Sequence, residues 1–236
     1  MNTLEQKFSR ISGGRILDVA TGEGGFIQML KESLRDFDEF IGVDIIDTKF
    51  NKAKETFEGD NISFAKMDGA KLAFDDNSFD TVSISNSLHH MGDINKTLKE
   101  MNRVLKPGGN FIIFEVFRDN QTGPQLNHVD LHHWWAKVNR LEGITHNPTL
   151  TRPEIEHFAK NLNLSSIETV EYFYAEEDQE DDETLTYIYK TIDEYIDKLN
   201  KRPDSDHLIE EGLAIKGRIQ NSGFAWATEL AIIGIK

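Results

Sequence analysis

A glycine-rich segment near the start of the chain has the residue types of a ligand-binding loop. The segment Asp18-Val-Ala-Thr-Gly22-Glu-Gly24-Gly25 follows a short apolar run and precedes apolar residues at helical spacing. Glycines at such a junction let the backbone approach a ligand closely, and the following helix N-terminus offers unpaired N–H groups. The same pattern is also typical of plain strand–helix packing, so the neighbouring residues must distinguish the two interpretations.

Two carboxylates near this loop favour a nucleoside-type cofactor. Asp44 ends the next apolar run, 20 residues after Gly24, where a carboxylate can accept both hydroxyls of a ribose. Dinucleotide-binding loops have the pattern G-x-G-x-x-G because a pyrophosphate rests on the helix N-terminus. Here Asp18 stands at the loop entrance, where it would repel a pyrophosphate but attract the positively charged end of S-adenosylmethionine.

The scaffold that positions these residues is predicted from the alternation of strand-like and helix-like segments up to residue 117. Apolar runs predict five strands, at 15–20, 39–44, 62–67, 79–85 and 111–116. Helical spacing predicts helices at 26–34, at 48–57 and between Asp93, a good N-cap, and the stop signal Pro107-Gly108-Gly109. This alternation predicts an α/β fold with a parallel sheet covered by helices on both faces.

The second half of the sequence is less regular. We predict one short helix within the polar stretch 118–150 and further helices at 153–162, 185–199 and 208–219. We also predict strands at 166–174 and 228–235. Seven acids in the eight positions 176–183 predict a loop by self-repulsion. We therefore expect a single domain over 1–236, with 118–150 and 176–224 as lid insertions beside the substrate. The segments 118–150 and 184–222 should be mobile, bury little apolar surface and become ordered when a ligand binds.

Composition excludes several classes of function. The 236 residues include 41 acidic and 26 basic side chains, a net charge of −15 that disfavours binding to nucleic acids. The absence of cysteine excludes disulfides, cysteine-ligated zinc and thiol catalysis. No apolar run approaches the roughly 20 residues of a membrane-spanning helix, and the polar N-terminus lacks a signal-peptide pattern. We expect a cytoplasmic protein that does not bind membranes.

Several motifs together resemble the class I S-adenosylmethionine-dependent methyltransferases, in the order and spacing of that family over residues 15–117. Within the family, the sequence is similar to the small-molecule group that includes the ubiquinone/menaquinone-biosynthesis C-methyltransferases. The matching segments are Ile16-Leu-Asp-Val-Ala-Thr-Gly-Glu-Gly24, Gly42-Val-Asp44, Met67-Asp68-Gly69, Phe74-Asp-Asp-Asn-Ser-Phe-Asp-Thr-Val82, Leu88-His-His90 and Arg103-Val-Leu-Lys-Pro-Gly-Gly109.

The resemblance implies a doubly wound, mostly parallel seven-stranded sheet, Rossmann-like, whose last strand is antiparallel. It also implies S-adenosylmethionine as the cofactor and methyl transfer to a small molecule as the activity. Helical lids would follow strands 5 and 6.

The resemblance further implies a role for each matched residue. Asp18 would reach the aminopropyl end of the cofactor, Asp44 the ribose and Asp68 the adenine amino group. The remaining residues of the implied cofactor site are Ala20, Gly22, Gly24, Ile45, Met67, Gly69 and Asn86. Ala20 stands where many family members have glycine. The alternative for Asp68 and Asp80 is turn capping, which we accept for Asp80 only.

The candidates for chemistry on the methyl acceptor lie at the ends of the fourth and fifth strands. His89 and His90 follow one strand and Glu115 ends the other, on the edge where open α/β sheets bind ligands. A base is required only if the acceptor arrives protonated. The alternatives are a histidine that caps the loop and a solvated strand end.

A histidine–tryptophan block provides the candidates for substrate contact, namely His128, His132 and Trp134. His128, His132 and His133 also suggest a metal site, because histidines at positions i and i+4 share a helix face. No further ligand stands at convincing spacing, so we expect substrate contact and no metal. The alternatives for Trp134 and Trp135 are the lid core and a ligand platform.

Other functions remain open at the level of sequence. A protein acceptor is compatible with the same fold, whereas the missing basic face argues against RNA. A catalytically silent cofactor-binding scaffold is a third alternative. An NAD-dependent dehydrogenase is disfavoured because the loop lacks the third glycine of that fingerprint. The acceptor atom and the oligomeric state are not predicted.

Overall fold

The chain divides into two compact units. The computed structural model describes residues 3–174 and 182–236. Unit 1 comprises Met1–Glu115, Pro153–Glu171 and Leu230–Lys236, and unit 2 comprises Val116–Arg152 and Tyr172–Glu229. Most of the predicted acidic loop at 176–183 lies outside the described residues, and the helix after it already begins at Asp182.

Unit 1 is built on a seven-stranded sheet in the order β3-β2-β1-β4-β5-β7-β6. The strands are β1 (Arg15–Val19), β2 (Glu39–Asp44), β3 (Ile62–Lys66), β4 (Phe79–Ser85), β5 (Leu105–Val116), β6 (Ser165–Tyr172) and β7 (Glu229–Ile235). The first five pair in parallel. β7 runs antiparallel to β5, because Lys236 donates to the Gly109 carbonyl while Phe117 donates to that of Thr228. The predicted fold class is confirmed.

The helices α1 (Thr3–Phe8), α2 (Gly25–Ser33), α3 (Phe50–Thr56), α4 (Ile94–Val104) and α6 (Arg152–Lys160) accompany the sheet. The cap predicted for α4 is present, since the Asp93 carboxylate accepts the Lys96 N–H at 3.0 Å. Its predicted end is wrong by a few residues. The chain passes from Val104 directly into β5, so Pro107 lies within the first residues of that strand instead of before it.

Unit 2 contains the helices α5 (Gly123–Leu141), α7 (Asp182–Leu199) and α8 (Asp206–Ser222). The prediction of one short helix in 118–150 is wrong, because α5 has 19 residues. Its start is fixed by a capping box in which the Gln125 side chain accepts the Thr122 N–H at 3.0 Å. Buried polar residues on α5, among them Asn127 and His128, hide the apolar periodicity that would have predicted its length.

The three helices of unit 2 share an apolar core. Trp134 of α5 is fully buried in it, against residues such as Ile188 of α7 and Ile215 of α8. The indole N–H of Trp134 donates to the Leu208 carbonyl at 2.7 Å. The expectation that the segments 118–150 and 184–222 bury little apolar surface is therefore wrong. No helix in the described part of the chain is long and apolar enough to cross a membrane.

The close approach of α5 and α8 depends on a glycine. A Cβ on Gly212 would lie 2.4 Å from Cζ2 of Trp134, whereas a Cβ on Gly217 of the same helix would meet nothing within 4 Å. We expect Gly212→Ala to lower the free energy of unfolding by about 1–3 kcal/mol, because the methyl group overpacks the core. Gly217→Ala, the matched control, should raise it by up to about 1 kcal/mol through helix propensity. Urea unfolding measures both, and equal stabilisation by the two substitutions would contradict this packing.

Candidate functional site

Asp18 is a buried carboxylate at the end of β1. The parallel register of β1 with β4 aligns it with Ser83, whose hydroxyl donates to Asp18 Oδ1 at 2.7 Å. Burial raises the pKa of Asp18 to about 6, against the lowering effect of the hydrogen bond from Ser83. No lysine, arginine or histidine among the described residues forms an ion pair with Asp18. A buried negative group without a cationic partner suits a ligand that brings an ammonium group.

The loop after β1 adopts backbone conformations that favour glycine. Gly22 has φ +54°, and a Cβ there would meet nothing within 4 Å, so the space beside it is open to a ligand. A Cβ on Gly24 would lie 2.6 Å from Cε2 of Phe57. Ala20 has φ +58°, a left-handed conformation that costs a non-glycine residue about 1–2 kcal/mol. This is the physical reason for glycine at that position in the family that the sequence resembles.

Asp44, at the end of β2, is hydrogen-bonded to this loop. Its Oδ2 accepts the Gly22 N–H at 3.0 Å and its Oδ1 accepts the Ile46 N–H at 2.9 Å. Each carboxylate oxygen retains a second lone pair with which to accept a hydroxyl. The next two side chains, Ile45 and Ile46, are 62% and 53% exposed, which is unusual for large apolar groups. They place an apolar surface beside Asp44 that suits a flat ring.

The segment after β3 lies next to Asp44. The Met67 N–H donates to the Asp44 carbonyl at 2.8 Å, and Asp68 Oδ1 accepts the Ala70 N–H at 2.8 Å. Asp68 therefore caps the turn through Oδ1, a role that the sequence analysis did not accept for it. The contact of Asp68 with adenine stays a prediction. A Cβ on Gly69 would lie 2.8 Å from Cγ1 of Val19, so a glycine is needed for this approach.

Asp80 has the structural role that the sequence predicted. It lies near the start of β4, at the edge of the sheet opposite to Asp44. Its carboxylate accepts the Arg15 N–H at 3.0 Å and contacts Lys106 Nζ at 2.7 Å. Partial burial raises the pKa of Asp80, but the hydrogen bonds from Lys106 and Arg15 outweigh this effect and leave the pKa lowered. These contacts tie the strand starts together.

The loop after β4 brings Asn86 and both predicted histidines to the same edge as Asp18. Asn86 has φ +43°, and its N–H donates to the Phe114 carbonyl at 2.8 Å. The implied contact of Asn86 with the cofactor stays a prediction. A short 3-10 helix, Leu88–His90, follows. His90 is exposed, and its ring centroid is 4.3 Å from that of the buried His89.

Glu115 contacts this loop from the end of β5. It is fully buried, so the alternative of a solvated strand end is wrong. Its Oε2 accepts the backbone N–H groups of Ser87 and Leu88 at 3.0 and 2.7 Å, and its Oε1 lies 3.0 Å from His89 Nδ1. Two of the three residues predicted for chemistry, His89 and Glu115, are thus brought into direct contact.

The three residues predicted to contact a substrate lie in unit 2. His128 is buried and its Nδ1 accepts the Ala227 N–H at 2.9 Å, while its ring centroid is 4.9 Å from that of His132. Trp134 has no exposed surface and its N–H is already bonded. The structure favours the core role for Trp134 over contact with a substrate, and it ties His128 to the backbone of its own unit.

Sequence reasoning missed Ser83, Thr21 and Ile46. Ser83 carried a signal, because it is a polar residue inside the apolar run of β4. Its partner could not be identified without the strand register, which pairs residues that are 65 positions apart.

A mostly parallel sheet in this strand order, with a glycine loop after β1 and an acidic residue at the end of β2, defines a Rossmann-like fold that binds nucleoside cofactors. Residues 17–113 match the family described as the methyltransferase domain. In this part of the chain the protein is similar to class I S-adenosylmethionine-dependent methyltransferases.

Curated relatives match the same part of the chain. The demethylmenaquinone methyltransferase of Bacteroides fragilis is 37% identical over 106 residues, which cover 43% of this chain and 43% of that one. The demethylmenaquinone methyltransferase of Staphylococcus saprophyticus is 38% identical over 105 residues, covering 44% and 45%. The matched stretch thus spans less than half the length of these relatives.

Solved structures resemble nearly the whole chain. The YcgJ protein of Bacillus subtilis has a TM-score of 0.58 at 19% identity, covering 99% of this chain and 96% of that one. Phosphoethanolamine N-methyltransferase 2 of Haemonchus contortus, solved with S-adenosyl-L-methionine, has a TM-score of 0.60 at 21% identity, covering 98% and 50%. At these identities the likeness shows the fold.

The raised pKa of Asp18 makes a prediction about stability. Above about pH 6 the folded protein carries a buried charge that the unfolded chain solvates, whereas below the ordinary pKa of 3.8 the carboxyl is neutral in both states. The cost is therefore absent in acid and complete near neutrality. We expect Asp18→Asn to be more stable than the unsubstituted protein by roughly 3 kcal/mol at about pH 8, because the shift is about two pH units.

This difference should shrink towards zero as the pH falls to about 4. Urea unfolding across this pH range, without added ligand, measures it. A difference that does not change with pH would show that Asp18 ionises normally in the folded protein.

Proposed function

We propose that the protein is an S-adenosylmethionine-dependent methyltransferase that acts on a small-molecule acceptor. The proposal depends mainly on Asp18, whose buried carboxylate has no cationic partner among the described residues. This carboxylate lies beside the loop in which the Gly22 N–H donates to Asp44. The demethylmenaquinone methyltransferases named above support it, since they are 37–38% identical to this chain over the matched stretch and their name contains a small-molecule acceptor. The fold adds support through the sheet edge that carries these residues.

The described residues fit the cofactor. Asp18 would compensate the ammonium group, Asp44 would accept ribose hydroxyls and the exposed side chain of Ile45 would pack on the adenine. When bound, S-adenosylmethionine supplies an activated methyl group for in-line displacement. The protein then has to align the acceptor and exclude water. His89 is the candidate proton acceptor for an acceptor that arrives protonated.

The sequence predicts that 118–150 and 176–224 shape the acceptor pocket, and this stays a prediction. A protein acceptor and a catalytically silent scaffold are the competing functions, and experiments can separate them.

A labelling experiment tests the class of acceptor. The purified protein is incubated with methyl-labelled S-adenosylmethionine and either reduced demethylmenaquinone or phosphoethanolamine, and we expect label in a small-molecule product. Label only in added protein would favour a protein acceptor.

Cofactor choice is tested by calorimetric titration. We expect S-adenosylmethionine and its demethylated product to bind at micromolar concentration, about −8 kcal/mol. NAD should bind far more weakly, because its pyrophosphate would face the carboxylate of Asp18. Tight binding of NAD without a response to S-adenosylmethionine would overturn the assignment. Binding of the cofactor without turnover on any acceptor class would favour the scaffold.

The ribose contact is tested by a pair of aspartate substitutions. Asp44→Ala should weaken S-adenosylmethionine binding by about 1.5–3 kcal/mol, because the hydroxyls lose a charged acceptor and Gly22 loses its brace. Asp80→Ala, the control, should reduce stability and leave cofactor affinity nearly unchanged, since Asp80 contacts Arg15 and Lys106 at the other end of the strands. Calorimetry and thermal unfolding of both variants give the comparison. Equal cofactor affinity in the two variants would show that the ribose does not bind at Asp44.

A further inference from the structure

Both oxygens of the Glu115 carboxylate have hydrogen-bonding partners within unit 1. Oε2 accepts two consecutive backbone N–H groups, from Ser87 and Leu88, and Oε1 faces His89 Nδ1. The side chain has no exposed surface. Because both carboxylate oxygens already have partners, we expect Glu115 to act through the residues that it holds.

One of these roles is to build the loop. Strand pairing ends at Ser85 of β4, where the last register partner is Phe114 of β5. The backbone N–H groups of Ser87 and Leu88 come after this pairing, and Glu115 supplies the acceptor that the sheet no longer provides. The 3-10 helix that carries His89 is thereby fixed to the end of β5.

The second role concerns the proton on His89. The Glu115 carboxylate accepts two backbone N–H groups, and we infer that it accepts from His89 as well, so that Nδ1, the nitrogen that faces Oε1, carries the proton. A neutral imidazole has one protonated nitrogen, which leaves the lone pair of His89 on Nε2. This is the base-and-orienter arrangement used by hydrolases with a histidine base, here on a different fold.

We propose that Glu115 is the positioning residue that keeps His89 in the Nδ1–H form, so that Nε2 can take a proton from the methyl acceptor; this rests on the proposed methyltransferase function. In that step the acceptor atom gives its proton to Nε2, and its electron pair forms the bond to the methyl carbon. The electron pair of the broken sulfur–carbon bond stays on sulfur. The imidazolium then loses its proton to water, so that atoms and charge balance.

Glu115→Gln tests the proposal with little change in shape. The Gln oxygen can still accept from Ser87 and Leu88, but its NH₂ group would face His89 Nδ1 and donate to it. The proton of His89 should then move to Nε2. Glu100→Gln is the matched control in the same unit, because the Glu100 carboxylate contacts Arg103 and the Leu72 N–H and no histidine.

The first readout is NMR of nitrogen-labelled histidines, with the His89 signals identified by their loss in His89→Gln. We expect the Nδ1–H form in the unsubstituted protein and in Glu100→Gln, and the Nε2–H form in Glu115→Gln. An Nε2–H form in the unsubstituted protein overturns the proposal directly, and that measurement does not depend on the folding of any variant.

The second readout is kinetic. Glu115→Gln should reduce kcat for methyl transfer by about 100-fold or more, the usual contribution of a general base. KM for the acceptor and affinity for S-adenosylmethionine should change by less than about threefold. The double variant Glu115→Gln/His89→Gln should be no slower than His89→Gln alone, because both substitutions remove the same base. An additive loss, or full turnover with the altered tautomer, overturns the proposal.

These readouts separate this inference from the proposed function. If S-adenosylmethionine does not bind and no acceptor is methylated, the proposed function fails whatever the tautomer of His89 is. If methyl transfer occurs but His89 does not respond to Glu115→Gln, the function stands and the positioning role fails.

Discussion

The parallel register of β1 with β2 and β4 is the constraint on which the candidate site depends. It aligns Asp18 with Ser83 on one side and with Gly42 on the other, so strand ends that are far apart in the sequence meet at one edge of the sheet. Parallel strands that are buried on both faces accommodate a charged group only where it has a hydrogen-bonding partner, which for Asp18 is Ser83. The raised pKa of Asp18 follows from this position, and so does its fitness for a cationic ligand.

Stability and function are opposed at this edge. Asp18 is buried without a cation, Ala20 and Asn86 have left-handed backbone conformations, and two isoleucines are exposed after Asp44. Each feature costs stability in the free protein. Such costs are typical of binding sites, because the ligand supplies the charge or the apolar surface that the protein leaves uncompensated. The starts of the same strands show the opposite pattern, with Asp80 paired to Lys106.

Unit 2 is held together by apolar packing between helices. Its helices α5, α7 and α8 pack around Trp134, and the contact with Gly212 sets how closely two of them approach. A helical core of this kind holds its own shape through packing, since large side chains in it are fully buried. This packing differs from the sparse apolar burial that composition predicted, while ordering of these segments by a ligand stays a prediction.

The sequence by itself determined the alternating elements of unit 1, the cap of α4 and the family resemblance, because these depend on local periodicity and on short motifs around Asp18 and Asp44. It did not determine the length of α5, whose buried polar residues break the apolar period, or the end of α4. Only the tertiary structure showed that Glu115 and His89, 26 positions apart, share a hydrogen bond, and that Asp18 lies against Ser83. Such pairs are set by strand order and register, and neighbouring residues in the chain carry no signal for either.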